Sequence, residues 1–138
     1  MSTAAKRRLL SDYRKYQQEA ADLRVLLKPR PDNMMICEAI IFGPDDTDWE
    51  GAVIQLMMEF TEKFPSEPPK VRFLTTMFHP NIYANGNICL DILDKKWTPL
   101  YSCTTILTSI QSLLSDPNPD SPANNEAAQL FIEHTKLL

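Results

Sequence analysis

Between residues 52 and 60 every second position is apolar: Ala52, Ile54, Leu56, Met58 and Phe60 fall on one face of an extended chain. A strand of that kind needs neighbours, and three further strand-like runs lie nearby, at 23–28, 34–42 and, more briefly, 71–74. The intervening turns, 29–33 and 43–51, are short, so adjacent strands are predicted to pair antiparallel. Ahead of them, residues 3–20 place Leu9, Tyr13, Tyr16 and Ala20 on one helical stripe, with Ser2 or Thr3 able to cap the start. Beyond residue 101 a helical pattern returns over 103–115 through Ile106, Leu107, Ile110, Leu113 and Leu114. The run Asp116-Pro117-Asn118-Pro119-Asp120 must be a non-helical turn. Ser121-Pro122 then reads as the N-cap and first residue of a last helix passing through Leu130, Phe131 and His134. The expected class is α+β: an N-terminal helix, a four-stranded antiparallel meander, an irregular segment and C-terminal helices.

The chain has 138 residues, enough for one domain spanning 1–138, and 43% of them are hydrophobic, enough for a real core. No apolar run approaches the ~20 residues that cross a bilayer. The basic start around Lys6, Arg7 and Arg8 lacks the apolar stretch of a signal peptide, so a soluble intracellular protein is expected. A net charge of −4 argues against general nucleic-acid binding. That total hides an asymmetry. Residues 6–15 hold Lys6, Arg7, Arg8, Arg14 and Lys15 against Asp12 alone, whereas residues 91–120 are acid-rich, with Asp91, Asp94, Asp116 and Asp120. Different surfaces should meet different partners.

Residues 75–101 show no sustained period and contain Pro80, Gly86 and Pro99. A long irregular stretch inside a small domain is usually functional, and this one holds Cys89. Free cysteines are most often small buried hydrophobes, which is the competing reading. A thiol protease would need a histidine beside the thiol. Only His79, held in a His-Pro turn, and His134 exist. The three cysteines, Cys37, Cys89 and Cys103, are odd in number and irregularly spaced. They argue against both a disulfide framework and a structural zinc site, and no metal is expected.

Phe64-Pro65-Ser66-Glu67-Pro68-Pro69, His79-Pro80-Asn81, Asn85-Gly86-Asn87-Ile88-Cys89-Leu90-Asp91-Ile92-Leu93, Trp97-Thr98-Pro99 and the turn 116–122 occur in that order. Together they resemble the ubiquitin-conjugating enzyme family over nearly the whole chain. The opening Met1-Ser2-Thr3, Thr108-Ser109-Ile110-Gln111-Ser112-Leu113 and Ser121-Pro122-Ala123-Asn124 are similar to the small, insertion-free branch that acts in post-replicative DNA repair and histone ubiquitination.

The resemblance implies that Cys89 accepts ubiquitin as a thioester from an activating enzyme and passes it, with a ligase, to a substrate lysine. ATP is used upstream by the activating enzyme, so no cofactor is expected here, and nuclear and cytoplasmic localisation is implied. Exchange between thioesters is nearly balanced in energy, so a strongly activated thiolate is not required. Transfer to lysine is harder, because an amine of pKa ~10.4 is mostly protonated at neutral pH and its attack creates an oxyanion. Asn81 would hydrogen-bond that oxyanion or brace the loop that holds it; forming a simple turn is its plainer role. Asp91, Asn118 and Asp120 would orient and desolvate the lysine. Ser121 stands where many relatives carry aspartate, so unaided transfer should be modest; it also sits in a Ser-Pro pair suited to proline-directed phosphorylation.

Lys6, Arg7, Arg8 and Arg14 match the family's docking face for the activating enzyme, and Ser66, Pro99 and Leu100 match the two loops shown to ligases. Pro68-Pro69 beside them would shape a rigid turn. Three departures stand out. Cys37 replaces a tryptophan, which predicts altered sheet packing; Ala52 replaces a glycine; and the chain ends at Leu138, ahead of the relatives' final helix. Two rival functions remain open: a scaffold relative without transfer activity, and a carrier of another ubiquitin-like modifier.

Overall fold

The computed structural model describes residues 2–137. Helix α1 (Ala4–Leu23) leads into strands β1 (Val25–Arg30), β2 (Asn33–Phe42), β3 (Val53–Glu59) and β4 (Lys70–Phe73), followed by helices α2 (Cys103–Ser115) and α3 (Asn125–Leu137). The strands form one antiparallel sheet in the order β1-β2-β3-β4, the expected meander. The α+β class and the element order stand as expected.

Thr3 caps α1, its hydroxyl accepting from the Lys6 amide at 3.3 Å, and Arg24 ends the helix in the left-handed region at φ 54°. The helix therefore runs through Leu23, which the sequence pattern placed in the first strand. Strand β1 begins and ends two residues later than that pattern suggested, and it retains Pro29 opposite Cys37. A proline is tolerated there because β1 is an edge strand, whose outer side needs no ladder bond.

One sheet face is covered. Leu9, Tyr13 and Tyr16 of α1 and Ile106, Leu107 and Ile110 of α2 pack with Val25, Leu27, Ile41, Ile54, Leu56, Met58 and Phe73. The side chain of Ala20, also expected on the α1 stripe, lies outside the described residues. Each fully buried leucine or isoleucine contributes about 1.5–3 kcal/mol. Polar anchors fix the helices to the sheet: the Tyr13 hydroxyl donates to Met34 O, Gln111 Nε2 to Phe42 O, and the Trp49 indole to Leu114 O.

Cys37 is fully buried on the covered face, and the β2–β3 register runs unbroken from Ile36↔Glu59 to Phe42↔Val53. The sheet register is thus regular across Cys37. Ala52, the second departure, sits half-buried in the closing turn, its amide donating to Trp49 O at 2.9 Å.

The last helix corrects the sequence reading. It opens at Asn125, and its cap is Asn124, whose Oδ1 accepts from the Ala127 amide at 3.0 Å. Ser121-Pro122 lies in the preceding loop. Two N-cap residue types occur three positions apart here, and the chain uses the second because the first is engaged elsewhere. Ser121→Ala should therefore cost little stability, while Asn124→Ala should cost ~1 kcal/mol. Chemical denaturation of the two variants checks this; a larger loss at Ser121 than at Asn124 would contradict it.

Candidate active site

The irregular segment is anchored to the sheet edge. Tyr83 N donates to Asn87 O, Gly86 N to Tyr83 O, and Phe73 N of β4 to Gly86 O, each at 2.9 Å. Gly86 holds φ 93°, and a Cβ there would run into the Phe73 carbonyl oxygen, so only glycine closes this turn against β4. The returning strand pairs Ile88 with Ile82, and Cys89 N donates to Asn81 O at 2.8 Å. The thiol is thereby fixed by its own backbone, at the point where the chain leaves for a short 3₁₀ turn, Asp91–Leu93.

His79-Pro80-Asn81 ties this segment to the other side of the site. His79 is buried, with Nε2 2.8 Å from Leu113 O and Nδ1 accepting from the Asn81 amide at 3.0 Å. A neutral ring with its proton on Nε2 satisfies both contacts. Both nitrogens are then spent, so His79 cannot serve as base for Cys89, while His134 lies exposed on α3. The protease reading fails on geometry. Pro80 O accepts from Ala123 N at 2.7 Å and Asn124 N at 3.0 Å. Asn81, 0% exposed, uses its whole amide: Nδ2 donates to Asn118 O at 2.7 Å and Ser121 O at 3.1 Å, and Oδ1 accepts from Asn118 N at 2.8 Å. Of the roles open to Asn81, this geometry is that of a brace.

Burial lowers the His79 pKa below its ordinary value. The unfolded chain thus takes up a proton near the ordinary histidine pKa of about 6.5, while the folded chain resists it. The resulting stability is complete above that value and is lost as pH falls towards the folded one. Melting temperature should decline from pH 7 towards pH ~5.5, and His79→Gln should flatten this slope. An unchanged slope in that variant would assign the effect to other groups.

The three thiols are not equivalent. Cys37 and Cys103 are buried in the core, and burial pushes Cys37 up to about 12 and Cys103 well above the ordinary thiol value. Asp12 reinforces the shift at Cys103, its Oδ2 accepting from that residue's backbone amide at 3.3 Å. Fully buried, neither is open to an incoming thioester. Cys89 alone is partly exposed.

It opens into a cleft of about 810 Å³ lined also by Tyr83, Leu90, Asp91, Asp94, Lys95, Asp116, Asn118 and Ser121. Of the residues singled out from sequence, the cleft gathers Cys89, Asp91, Asn118 and Ser121, with Asn81 buried behind it. It leaves out Asp120, which is exposed with its amide on Asn118 Oδ1 at 3.1 Å. Asp94 and Asp116 were legible only as charge, and Lys95 was not singled out. Tyr83, on which Gly86 and Asn87 close the turn three and four residues later, gave no signal at all. Among the described residues no group of three His, Cys, Asp or Glu side chains is placed to hold a metal ion, and no helix is long and apolar enough to cross a membrane.

One partly exposed thiol, held by its backbone in a polar cleft with no histidine among the lining residues, suits a carrier of an acyl group. Residues 8–137 match the family model for ubiquitin-conjugating enzymes. The chain belongs to the ubiquitin-conjugating enzyme family. It is 54% identical to Ubiquitin-conjugating enzyme E2 2 of Saccharomyces cerevisiae over 134 residues, covering 97% of this chain and 77% of the relative. To Ubiquitin-conjugating enzyme E2 3 of Arabidopsis thaliana it is 52% identical over 136 residues, 99% and 90% of the two chains. A solved structure titled "Novel Ubiquitin-Conjugating Enzyme" superposes with a TM-score of 0.86 at 34% identity, covering 97% of this chain and 89% of that one.

Members of this family work with ubiquitin, an activating enzyme and ligases, and this conjugating enzyme carries two surfaces to compare with that. On α1, Arg7 and Arg14 are exposed and Lys6 is half-buried. Arg8 is turned inward. Its Nε meets Asp12 at 3.1 Å, its Nη2 donates to Tyr101 O at 2.9 Å, and its guanidinium lies 5.6 Å from the Phe64 ring centre. The loops bearing Ser66 and Pro99-Leu100 are joined by the Trp97 indole donating to Pro65 O at 3.0 Å, and by Trp97 packing between Phe64 and Tyr101. Ser66 and Pro99 are exposed, and Leu100 is 90% exposed, an apolar side chain offered to solvent from a braced loop. Arg8 thus locks the base of those loops to α1.

Proposed function

We propose that Cys89 accepts the ubiquitin C-terminus from the activating-enzyme thioester and delivers it to a substrate lysine that enters the acidic cleft. The observation that carries this is the exposure of one thiol out of three, at the mouth of a cleft walled by Asp91, Asp94 and Asp116. Those carboxylates attract an ammonium group, and partial desolvation beside Leu90 and Tyr83 favours its neutral, nucleophilic form. The neutral amine adds to the thioester carbonyl, the carbon–sulfur bond breaks, Cys89 leaves as thiolate, and the proton that the nitrogen sheds to become an amide passes through solvent to that thiolate. Asp116 rather than Asp120 supplies the acidic wall on the far side. Asn81 contributes by holding the 118–121 loop in place; with both amide hydrogens donated to that loop, it has none left for the oxyanion.

Ser121 lines the same cleft, so a carboxylate or phosphate there would add negative charge beside the lysine path. Arg7 and Arg14 form the exposed docking face for the activating enzyme, and Leu100 with Ser66 the contact for ligases. Work in DNA repair or histone ubiquitination, in nucleus and cytoplasm, is read from the resemblance of the runs at 108–113 and 121–124 to that branch of the family.

Incubation with activating enzyme, ATP and ubiquitin tests the proposal. A ubiquitin adduct that thiol reductant removes is the expected product. No adduct, with the fold intact, would leave a scaffold.

A further inference from the structure

A second groove, of about 570 Å³, shares no lining residue with the Cys89 cleft. The two lie on opposite sides of the chain at 113–118: Leu114, Ser115 and Pro117 face this groove, and Leu113, Asp116 and Asn118 face the cleft. Its other walls come from three places. Helix α3 supplies Ala127, Leu130 and Phe131, which share one face at helical spacing. The segment before Asn81 supplies Phe78 and Pro80, and the β2–β3 connection supplies Trp49. Phe78 is 53% exposed and Leu130 49%, so two large apolar side chains of one concavity stand open to water. Aspartates rim it. Apart from the neutral His79, Asp46 and Asp48 are the only titratable residues of the lining; both are exposed, and among the described residues neither enters an ion pair. Their neighbour Asp45 differs: it meets Arg24 at 2.9 Å.

The loop that bears these carboxylates is fixed in advance. The Thr47 hydroxyl donates to Pro44 O at 2.7 Å and accepts from Trp49 N at 3.2 Å, while the Trp49 indole is anchored on Leu114 O at 2.9 Å. Docking therefore need not order the loop, which removes one cost of association. Nor does the loop offer a strand edge: the amides of Gly43, Asp46, Glu50 and Ala52 already donate to Ala52 O, Glu50 Oε1, Thr47 O and Trp49 O. An occupant must be recognised through side chains, apolar ones for the floor and cationic ones for the rim. An amphipathic helix presents both together. We propose that this groove docks a basic amphipathic helix of a partner protein. Its apolar side chains seat between Phe78 and Leu130, and its lysines or arginines meet Asp46 and Asp48. A partner held there leaves Cys89 and Leu100 uncovered, since neither lines the groove, so it can stay attached through charging and transfer.

The test titrates the full, isotope-labelled chain with a synthetic peptide of about 16 residues, leucines at helical spacing and arginines between them. The control is the same peptide with glutamate in place of arginine. The arginine peptide should shift the backbone amide resonances of 46–49 and 127–131 to saturation, and the glutamate peptide should leave them in place. Raising salt from about 0.05 to about 0.3 M should weaken the arginine peptide several-fold. Asp46→Lys together with Asp48→Lys should weaken it about tenfold or more. Leu130→Ser should weaken it too, with the charge unchanged. These side chains are exposed, and unshifted resonances in the sheet verify that each variant is folded. Equal binding of the two peptides would overturn the inference. So would shifts confined to the Cys89 cleft, where Asp91, Asp94 and Asp116 offer a rival acidic site. Concentration-dependent shifts at 46–49 and around Leu10 without any peptide would also overturn it. The occupant would then be a second copy, docking through the exposed Leu10 that Arg7 and Arg14 flank on α1.

Discussion

Asn81→Ala is expected to lose about 2–3 kcal/mol of stability and to slow discharge to lysine by tenfold or more, with both losses tracking each other. The side chain is fully buried and makes three hydrogen bonds, two donated to Asn118 O and Ser121 O and one accepted from Asn118 N. Alanine leaves all three backbone groups to find water at the edge of the cleft, at about 1 kcal/mol each. The 118–121 loop then loses its tether, and with it the cleft wall that confines the lysine. Asn81→Asp should be worse than alanine in stability, because a buried carboxylate would face two carbonyl oxygens. Denaturant unfolding and single-turnover discharge, measured on the same samples, separate a brace from an oxyanion donor. A variant as stable as wild type that discharges about 100-fold more slowly would restore the donor role.

The fold was legible because its signals are local. Most of the alternation at 52–60, of the α1 stripe and of the apolar spacing of 103–115 reaches the core, as Ile54, Leu56, Met58, Leu9, Tyr13, Tyr16, Ile106, Leu107 and Ile110 show. Errors fell where two local signals compete. Ser121-Pro122 is a strong cap signature, but Asn81 captures the Ser121 carbonyl and Pro80 O captures the Ala123 and Asn124 amides, so the helix waits for Asn124. Pro29 reads as a turn residue until the sheet order shows β1 at an edge.

The site was legible in chemistry and less so in placement. Cys89, Asp91, Asn118 and Ser121 meet in one cleft, which motif order implied. That Asp116 lines the cleft and Asp120 does not depends on how the loop turns after α2, and no spacing rule reports that. Arg8 illustrates the same limit: helical spacing puts it beside the exposed Arg7, yet Asp12 and Tyr101 draw it inward. A charge on a helix face cannot be sorted into docking or bracing until its long-range partner, here Tyr101, is known.

Serine at position 89 is expected to change the chemistry more than any other single substitution. An alkoxide leaves less readily than a thiolate, so Cys89→Ser should accept ubiquitin slowly and keep it as an oxyester that resists reductant. Transfer onward to lysine should nearly stop. Cys37→Ser and Cys103→Ser alter thiols buried in the core, out of reach of an incoming thioester, so both should still form a reductant-sensitive adduct. The decisive measurement is intact mass of each variant after charging, before and after reductant. A reductant-stable ubiquitin mass on Cys89→Ser alone, with reductant-sensitive masses on the other two, is the result expected. A reductant-sensitive adduct that survives in Cys89→Ser and vanishes in Cys37→Ser or Cys103→Ser would contradict the assignment of Cys89 as carrier.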